Sequence, residues 1–212
     1  MTLPMEAVFD SSVAVRPSPS LLASWDLPVL DRAALLEWGL PDDEIMTPRF
    51  QSHREPALVP NVAGELERRW VDGSERLYDL GFWGGHELTP HMGVAAGAGR
   101  VLAIRERPMT TADLHPQLQA FYPNLYHPAV DFINTSLRQL VEVAWRWRAV
   151  VHVLREVPEP AETDSAVDVE AFFARLDAYN ETVLIHMARI DGGIDPQDES
   201  GLWAEVVLDP GY

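Results

Sequence analysis

Hydrophobic positions in the second half of the chain recur at steps of three and four residues, the spacing of one face of an α-helix. The first such stripe covers residues 130–154. Its candidate N-caps are Asn134 and Thr135, and Pro158 and Pro160 bound it at the other end. The pattern therefore predicts one long amphipathic helix in this part of the chain.

A second stripe of the same period covers residues 169–190 and stops at the pair Gly192-Gly193, which predicts a second long helix. The last segment, residues 198–208, predicts a short helix. We expect four of its apolar side chains to face inward: Leu202, Trp203, Val206 and Val207.

Residues 55–107 have a different pattern, in which short apolar segments are separated by gaps that contain Gly or Pro. A spacing of about ten residues leaves no room for helical crossovers, so antiparallel pairing is favoured. We predict a meander built from five segments: residues 57–59, 69–71, 77–83, 92–95 and 100–104.

The N-terminal part predicts only short elements. We expect residues 1–26 to form an extended arm with one short strand at residues 13–15, because this stretch contains several prolines. A short helix follows, with Asp31 as its N-cap and Gly39 at its end.

Composition points to an ordinary globular chain, with 212 residues, 47% hydrophobic and 23% charged. At about 150 residues per domain, we expect one domain. The chain has no cysteine, which excludes a disulfide scaffold, thiolate metal sites and a cysteine nucleophile. The absence of cysteine also fits a reducing compartment.

Charge is the strongest compositional feature. The chain carries 33 acidic residues against 16 basic ones, all arginine, for a net charge of −17. Such a field repels nucleic acid and anionic membranes and attracts a basic partner. Without lysine, a P-loop and Schiff-base chemistry are excluded. No apolar stretch reaches the roughly 18 residues of a membrane helix, and the N-terminus does not resemble a signal peptide, so we expect a cytoplasmic protein.

The motif most suggestive of chemistry is His86-Glu87-Leu88-Thr89-Pro90-His91, which resembles a zinc-protease motif. Its histidines are five residues apart instead of four, and Pro90 opposes a helix, so the motif does not fit. In a loop, His86 and His91 could still bind a metal with a third ligand, although two loop histidines beside a hairpin are the simpler interpretation. We expect no cofactor and no resident metal.

Other catalytic patterns are absent or weak. The sequence has no G-x-S-x-G nucleophile motif, and Gly97 and Gly99 are better explained by a hairpin turn than by a dinucleotide site. Acidic residues are abundant at 42–44 and 191–199, but no pair of them is singled out for catalysis.

The seven tryptophans are the remaining signal. Trp145 and Trp147 lie two residues apart on a predicted helix, so we expect one of them at the edge or the surface. Trp83 precedes two glycines, and we expect it at the end of a strand. A half-exposed Trp beside acidic loops is typical of a protein-binding hot spot, although a Trp at the edge of the core is the commoner case.

The order of these features resembles that of the SUKH superfamily of immunity proteins, especially its fourth subfamily. The short helix ends in Trp38-Gly39-Leu40-Pro41, and the meander follows. The phrase Phe132-Ile133-Asn134-Thr135-Ser136-Leu137 then opens the long helix, and Trp203 lies near the C-terminus. The resemblance covers residues 27–208.

This resemblance implies an α+β fold in one domain, residues 27–212. We expect a curved, mostly antiparallel sheet of five or six strands, flanked by a short N-terminal helix and two long C-terminal helices. It implies a non-enzymatic protein that binds and neutralises a bacterial toxin. The family has no catalytic residues to transfer, so the motif residues receive a structural role: Trp38, Gly39, Pro41, Phe132, Asn134, Ser136 and Trp203.

The acidic charge favours a toxin that acts on nucleic acid, such as a nuclease or deaminase, because its active cleft would be basic. We expect the contact surface on the concave sheet face and its loops. The candidate contact residues are chosen by charge and loop position: Asp42, Asp43, Glu44, Asp72, Glu75, Trp83 and Glu87.

Two other functions remain open at this point. The superfamily resemblance also allows a regulatory scaffold that organises intracellular assemblies. A metal-dependent enzyme using His86, His91 and nearby carboxylates is the third hypothesis. The sequence does not indicate an oligomeric state.

Overall fold

The computed structural model describes residues 3–50, 54–84, 89–157, 160 and 165–208. The strands within these residues are, in chain order, β1 (Ala14–Val15), β2 (Leu40–Pro41), β3 (Met46–Pro48), β4 (Leu77–Trp83), β5 (His91–Ala95), β6 (Val101–Ile104), β7 (Met109–Thr110), β8 (Tyr126–His127) and β9 (Val130–Asn134). The α-helices are α1 (Pro19–Ser24), α2 (Val29–Glu37), α3 (Glu65–Arg68), α4 (Pro116–Gln119), α5 (Leu137–Leu154), α6 (Ala166–Ile190) and α7 (Leu202–Leu208).

Five strands form the main sheet, in the order β3-β4-β5-β6-β9, and every neighbouring pair is antiparallel. The sheet is open, and the architecture is mixed α+β, which confirms the predicted fold class. Three of the five predicted segments of the meander are the strands β4, β5 and β6. Residues 57–59 contribute a single bridge, in which Leu58 pairs with Leu77.

Residues 69–71 are not a strand, contrary to prediction. They follow α3, and Trp70 stacks on Phe132 of β9 with ring centroids 4.9 Å apart. Val71 is 4% exposed in the same layer. This segment therefore covers the sheet instead of extending it.

The predicted long helix begins later than expected. Residues 130–134 form β9, in which Phe132 pairs with Leu102 and Val130 with Ile104 of β6. The N-cap is Ser136, neither Asn134 nor Thr135, and its hydroxyl accepts a hydrogen bond from the Gln139 backbone N–H at 3.3 Å. Five residues are too few to separate a strand period from a helix period, so pairing with β6 decides the outcome.

The N-terminal segment is less extended than predicted. Strand β1 lies where it was expected, but residues 19–24 form a helix whose N-cap, Ser18, accepts from the Leu21 backbone N–H at 3.2 Å. Leu22 and Trp25 are both buried. The division into an arm, residues 1–26, and a domain, residues 27–212, remains a proposal.

Asp31 is not the N-cap of α2, which begins at Val29 after Pro28. Its carboxylate instead accepts from the backbone N–H of Arg138 at 3.0 Å, in the first turn of α5. Burial raises the pKa of the Asp31 carboxyl. The predicted end of α2 is confirmed, because Gly39 follows it in the left-handed region at φ +68°.

Both faces of the main sheet are covered. One face packs on α2, α5, α6 and α7 through a large core that includes Leu35, Leu80, Val141, Val183 and Trp203. The other face packs under the segment that precedes β4, through Val71, Leu77, Leu102, Ile104 and Val130, with Leu58, Val62 and Trp70 on the outside. The expectation that a concave sheet face would be open to a partner is therefore wrong for the described strands.

The proline-rich stretch between β6 and β9 is an excursion with its own small ladder, in which Met109 pairs with His127 and Thr110 with Tyr126. None of the helices in the described ranges is long and apolar enough to cross a membrane.

Candidate functional site

The helix-opening motif is organised by a buried carboxylate. Asp191, directly after α6, is fully buried. One of its oxygens accepts from the Asn134 side-chain amide and from the Thr135 backbone N–H, both at 2.8 Å. The other accepts from the Thr135 hydroxyl at 2.6 Å and from the Gly193 backbone N–H at 3.0 Å. Asp191 thus ties the end of α6 to the turn between β9 and α5.

Trp203 completes this network. Its indole N–H donates to the Asn134 side-chain oxygen at 3.1 Å. Both the nitrogen and the oxygen of the Asn134 side-chain amide are therefore hydrogen-bonded. The Trp203 ring also packs edge-on against Trp83, with centroids 4.9 Å apart. Asn134 and Trp203, together with Ser136 at the N-cap of α5, therefore join the strand β9 to the helices α5, α6 and α7.

The Trp38-Gly39-Leu40-Pro41 motif has a structural role of the same kind. The Gly39 carbonyl accepts from the indole N–H of Trp145 at 3.1 Å, and Phe9 packs edge-on against both Trp38 and Trp145. The expectation that Trp145 or Trp147 lies at the surface is wrong, because the two are 0% and 1% exposed. The N-terminal segment packs over α5, so both tryptophans are covered.

Three predicted contact residues come together at one place, which we call the acidic corner: Asp42, Asp43 and Glu44, in the turn between β2 and β3. The corner faces the C-terminal half of α5 across a cleft of about 190 Å³, lined on the helix side by Arg148, Val151, His152 and Arg155.

Within the corner, Asp43 is the structural member. One of its oxygens accepts from the backbone N–H groups of Ile45 and Met46 at 2.9 and 3.2 Å. The other lies 3.8 Å from the guanidinium of Arg148. Burial raises the pKa of the Asp43 carboxyl, although the two backbone hydrogen bonds and Arg148 act to lower it.

The other two members face solvent. Asp42 is exposed, and Glu44 reaches Arg155 at 2.9 Å, with 73% of the Glu44 side chain exposed. The acidic corner is therefore a solvent-facing surface whose charge Arg148 and Arg155 partly neutralise.

Asp72 and Glu75 do not join the acidic corner. They precede β4 at its Leu77 end, whereas the corner adjoins the Trp83 end, where Met46 pairs with Trp83. Six strand steps separate those ends, about 20 Å. Glu75 pairs with Arg100 at 3.4 Å. Asp72 accepts three hydrogen bonds from residues 74 and 75, and those from Ser74 lower the pKa of its carboxyl.

The last two candidate contact residues are Trp83 and Glu87. Trp83 lies at the end of β4 and is 6% exposed, so it belongs to the core and is not a half-exposed hot spot. Its ring packs against Trp203 because β4 continues into the core. Glu87 and His86 lie outside the described residues.

His91 pairs with Asp79 across neighbouring strands, with its Nδ1 3.1 Å from the carboxylate oxygen. That hydrogen bond raises the pKa of the His91 imidazole. The pair opens into a cavity of about 250 Å³ that Glu55, Leu58 and Tyr78 also line. Within the described ranges, no three His, Cys, Asp or Glu side chains lie close enough together to hold a metal ion.

Sequence reasoning missed three buried carboxylates that hold the fold together. Besides Asp31 and Asp191, Glu67 of α3 is fully buried and accepts from the backbone N–H groups of Ala129 and Gly64 at 3.0 and 2.8 Å. The signal for Asp191 was its position directly before Gly192-Gly193, a helix end that must satisfy free polar groups. For Glu67 and Asp31, we find no such signal in the sequence.

Comparison with known proteins gives one positive result. The model of the SUKH-4 immunity protein family matches residues 3–209, nearly the whole chain. No curated protein and no solved structure matches. The matched region includes both motifs, the sheet and all the described helices, and on this evidence the chain belongs to the SUKH-4 immunity protein family.

Proposed function

We propose that this protein binds a bacterial toxin that acts on nucleic acid, a nuclease or a deaminase, and covers its basic active cleft. Membership of an immunity protein family supplies the general role, toxin immunity, and points to a non-enzymatic protein. The observation that carries the finer proposal is the net charge of −17 in a chain without lysine. A toxin that binds the phosphates of a nucleic acid needs a basic cleft, and an acidic protein is complementary to that cleft in charge.

The proposed mechanism is steering followed by occlusion. Long-range attraction increases the rate of encounter between partners of opposite charge, and it acts over a Debye length of about 8–10 Å. Short-range contacts then slow dissociation. Asp42, Glu44 and Asp72 are predicted contact residues whose exposure suits this role. We place the encounter in the cytoplasm, where such a toxin would meet its nucleic acid substrate.

The test is co-expression. Candidate toxins encoded beside this chain in its source genome are expressed in a sensitive host, with and without the protein. We expect this chain to restore growth against one of them, and the purified pair to form an equimolar complex that lacks nuclease or deaminase activity. If none of the candidates is neutralised, or if the neutralised toxin has no action on nucleic acid, the proposal is wrong.

Salt dependence tests the steering step. The association rate constant should fall steeply as salt rises from about 10 mM to about 150 mM, because the Debye length shrinks from about 30 to about 8 Å. A rate constant that stays flat over this range would exclude electrostatic steering.

A further inference from the structure

The negative charge of this chain is concentrated at its C-terminal end. Residues 156–212 hold 14 of the 33 acidic residues and only two of the 16 arginines, a net charge of −12 out of −17. The contact residues chosen from the sequence lie outside this region. The first 155 residues carry only −5, and several of their carboxylates are paired with arginines.

Helix α6 is the longest element of this region and carries four of its 14 acidic residues and both of its arginines. It extends beyond the helix on which it packs. Its last residue meets the start of α5, where the Gln139 side-chain amide donates to the Ile190 carbonyl at 3.0 Å, so the two helices run antiparallel. Helix α6 has 25 residues and α5 has 18. At about 1.5 Å per residue, the first two turns of α6 project roughly 10 Å past the end of α5.

Burial agrees with this geometry. All four buried residues of α6 lie in its second half, between Asn180 and Met187. In the projecting part, Val167 is 72% exposed and Phe173 is 54% exposed. A helical segment gains most of its stability from packing, and the described part of the chain leaves these two apolar side chains largely uncovered.

One stripe of exposed side chains on α6 combines carboxylates with apolar groups, and the exposed Arg175 lies on another side of the helix. Val167, Glu170, Asp177 and Glu181 follow each other at steps of three, seven and four residues, which places them on the same side of a helix, and Phe173 borders them. All are exposed. Among the ion pairs between described residues, none includes Glu170, Asp177 or Glu181.

We propose that this stripe, which we call the outer face of α6, is the principal docking surface for the basic toxin. This inference rests on the proposed function and gives it a location. Unpaired carboxylates around a solvent-exposed aromatic residue match the usual interface, in which a polar rim surrounds an apolar anchor. A second copy of the chain is a poor occupant, because its own acidic face would be repelled.

The acidic corner adjoins the same end of the molecule. It faces the C-terminal half of α5 through Arg148 and Arg155, and the partly buried Leu176 and Tyr179 of α6 pack against the main core, which includes residues of α5. A toxin seated on the outer face of α6 could therefore also meet Asp42 and Glu44.

The experiment uses the toxin that the wild-type protein neutralises. The variant E170Q/D177N/E181Q removes three charges from the outer face of α6. Its control, E6Q/E65Q/E106Q, removes three exposed charges elsewhere. We expect the first to lower the association rate constant about tenfold at low salt and the control to lower it less than threefold. Equal effects of the two variants would overturn the proposal.

The apolar anchor is tested separately. Phe173→Ala should speed dissociation about thirtyfold, as expected for a hot spot. Its control is Phe121→Ala, which alters a residue that is 76% exposed in the excursion between β6 and β9. Both residues are solvent-exposed, so each variant should unfold at nearly the wild-type temperature. Unchanged dissociation in Phe173→Ala would contradict the assignment.

Hydrogen exchange gives an independent readout. Backbone amides in residues 166–177 should exchange rapidly in the free protein and slow at least tenfold in the complex. If the wild-type protein neutralises the toxin without such protection, the toxin docks elsewhere and only this inference fails. If light scattering shows a dimer that Phe173→Ala dissociates while toxin binding is unchanged, the outer face joins two copies and the inference is also wrong.

Discussion

The side-chain amide of Asn134 donates to the carboxylate of Asp191 at 2.8 Å, although 57 residues separate them in the chain. This contact joins the end of β9 to the end of α6, and the Trp203 indole N–H donates to the other end of the same amide at 3.1 Å. Both Asn134 and Asp191 are fully buried, so each polar atom left without its partner would be costly. Asn134 thus links three separate elements in the core.

Replacing Asn134 by Asp should destabilise the protein strongly. Two carboxylates would then face each other in the core. We expect the free energy of unfolding to fall by about 3–5 kcal/mol at pH 7. Burial and the facing Asp191 would raise the pKa of the new carboxyl above its ordinary value in the folded state. The loss should therefore shrink as the pH falls, because protonation removes the repulsion.

Urea unfolding of Asn134→Asp at pH 7 and pH 5 measures this effect. The matched control is Asn124→Asp, which makes the same chemical change at an exposed site and should shift the free energy of unfolding by less than about 0.5 kcal/mol. Equal stability of the two variants at pH 7 would contradict the structural role of Asn134.

The two adjacent glycines after α6 should respond differently to alanine. A Cβ at Gly193 would lie 2.5 Å from both the Phe132 ring and the Thr135 hydroxyl, whereas a Cβ at Gly192 would have no atom within 4 Å. We expect Gly193→Ala to cost about 1–3 kcal/mol and Gly192→Ala to stay within about 0.5 kcal/mol of wild type. Thermal unfolding of both variants measures the difference, and a reversed order would mean that the turn is packed differently.

Substitutions of the two adjacent residues Asp43 and Glu44 should differ in effect, the first lowering stability and the second affecting binding. Asp43→Ala removes the acceptor of two backbone hydrogen bonds, so we expect a loss of about 1–2 kcal/mol. Glu44→Ala removes only an exposed ion pair, which is worth less than about 1 kcal/mol. Chemical unfolding measures the first effect, and the toxin association rate measures whether Glu44 contributes to steering. Destabilisation of Glu44→Ala as large as that of Asp43→Ala would be inconsistent with this division of roles.

The His91–Asp79 pair should make stability depend on pH. Because the hydrogen bond that Asp79 accepts from the imidazole raises the pKa of His91 above 6.5, the pair stabilises the folded state fully below 6.5. This contribution is lost as the pH rises through the raised pKa. The variant Asp79→Asn retains an oxygen for the Gly81 backbone N–H, which Asp79 accepts at 2.9 Å, and removes the charge.

We therefore expect the stability difference between wild type and Asp79→Asn to be larger at pH 6 than at pH 8. Imidazole proton shifts followed by NMR should show a lower pKa for His91 in the variant. An unchanged His91 titration would show that Asp79 does not set it.

The order of elements and the main amphipathic helices could be predicted from the sequence, since both depend on local patterns. The three-residue and four-residue steps of residues 169–190 predicted α6, and Gly39 and Gly192 predicted helix ends. The family resemblance, which depends on a short phrase and its place in the order, was also available at this level. Short segments such as 69–71 and 130–134 were not, because a few residues fit a strand and a helix equally well.

The candidate site was harder to predict than the fold, since charge and loop position do not reveal which side chains are already paired. Asp43, Glu44 and Glu75 each lie beside an arginine that is distant in the chain. Trp83, chosen as a candidate contact residue, is covered by Trp203, 120 residues later.

The sequence by itself determined the helix periods, the turn glycines, the charge imbalance and the family motif, because each of these is a property of residues close together in the chain. Only the tertiary structure decided that both sheet faces are covered, that Asp191 organises the motif and that α6 projects beyond α5. Those outcomes depend on which distant segments compete for the same apolar surface and the same hydrogen-bond donors. That competition is settled only when the whole chain packs.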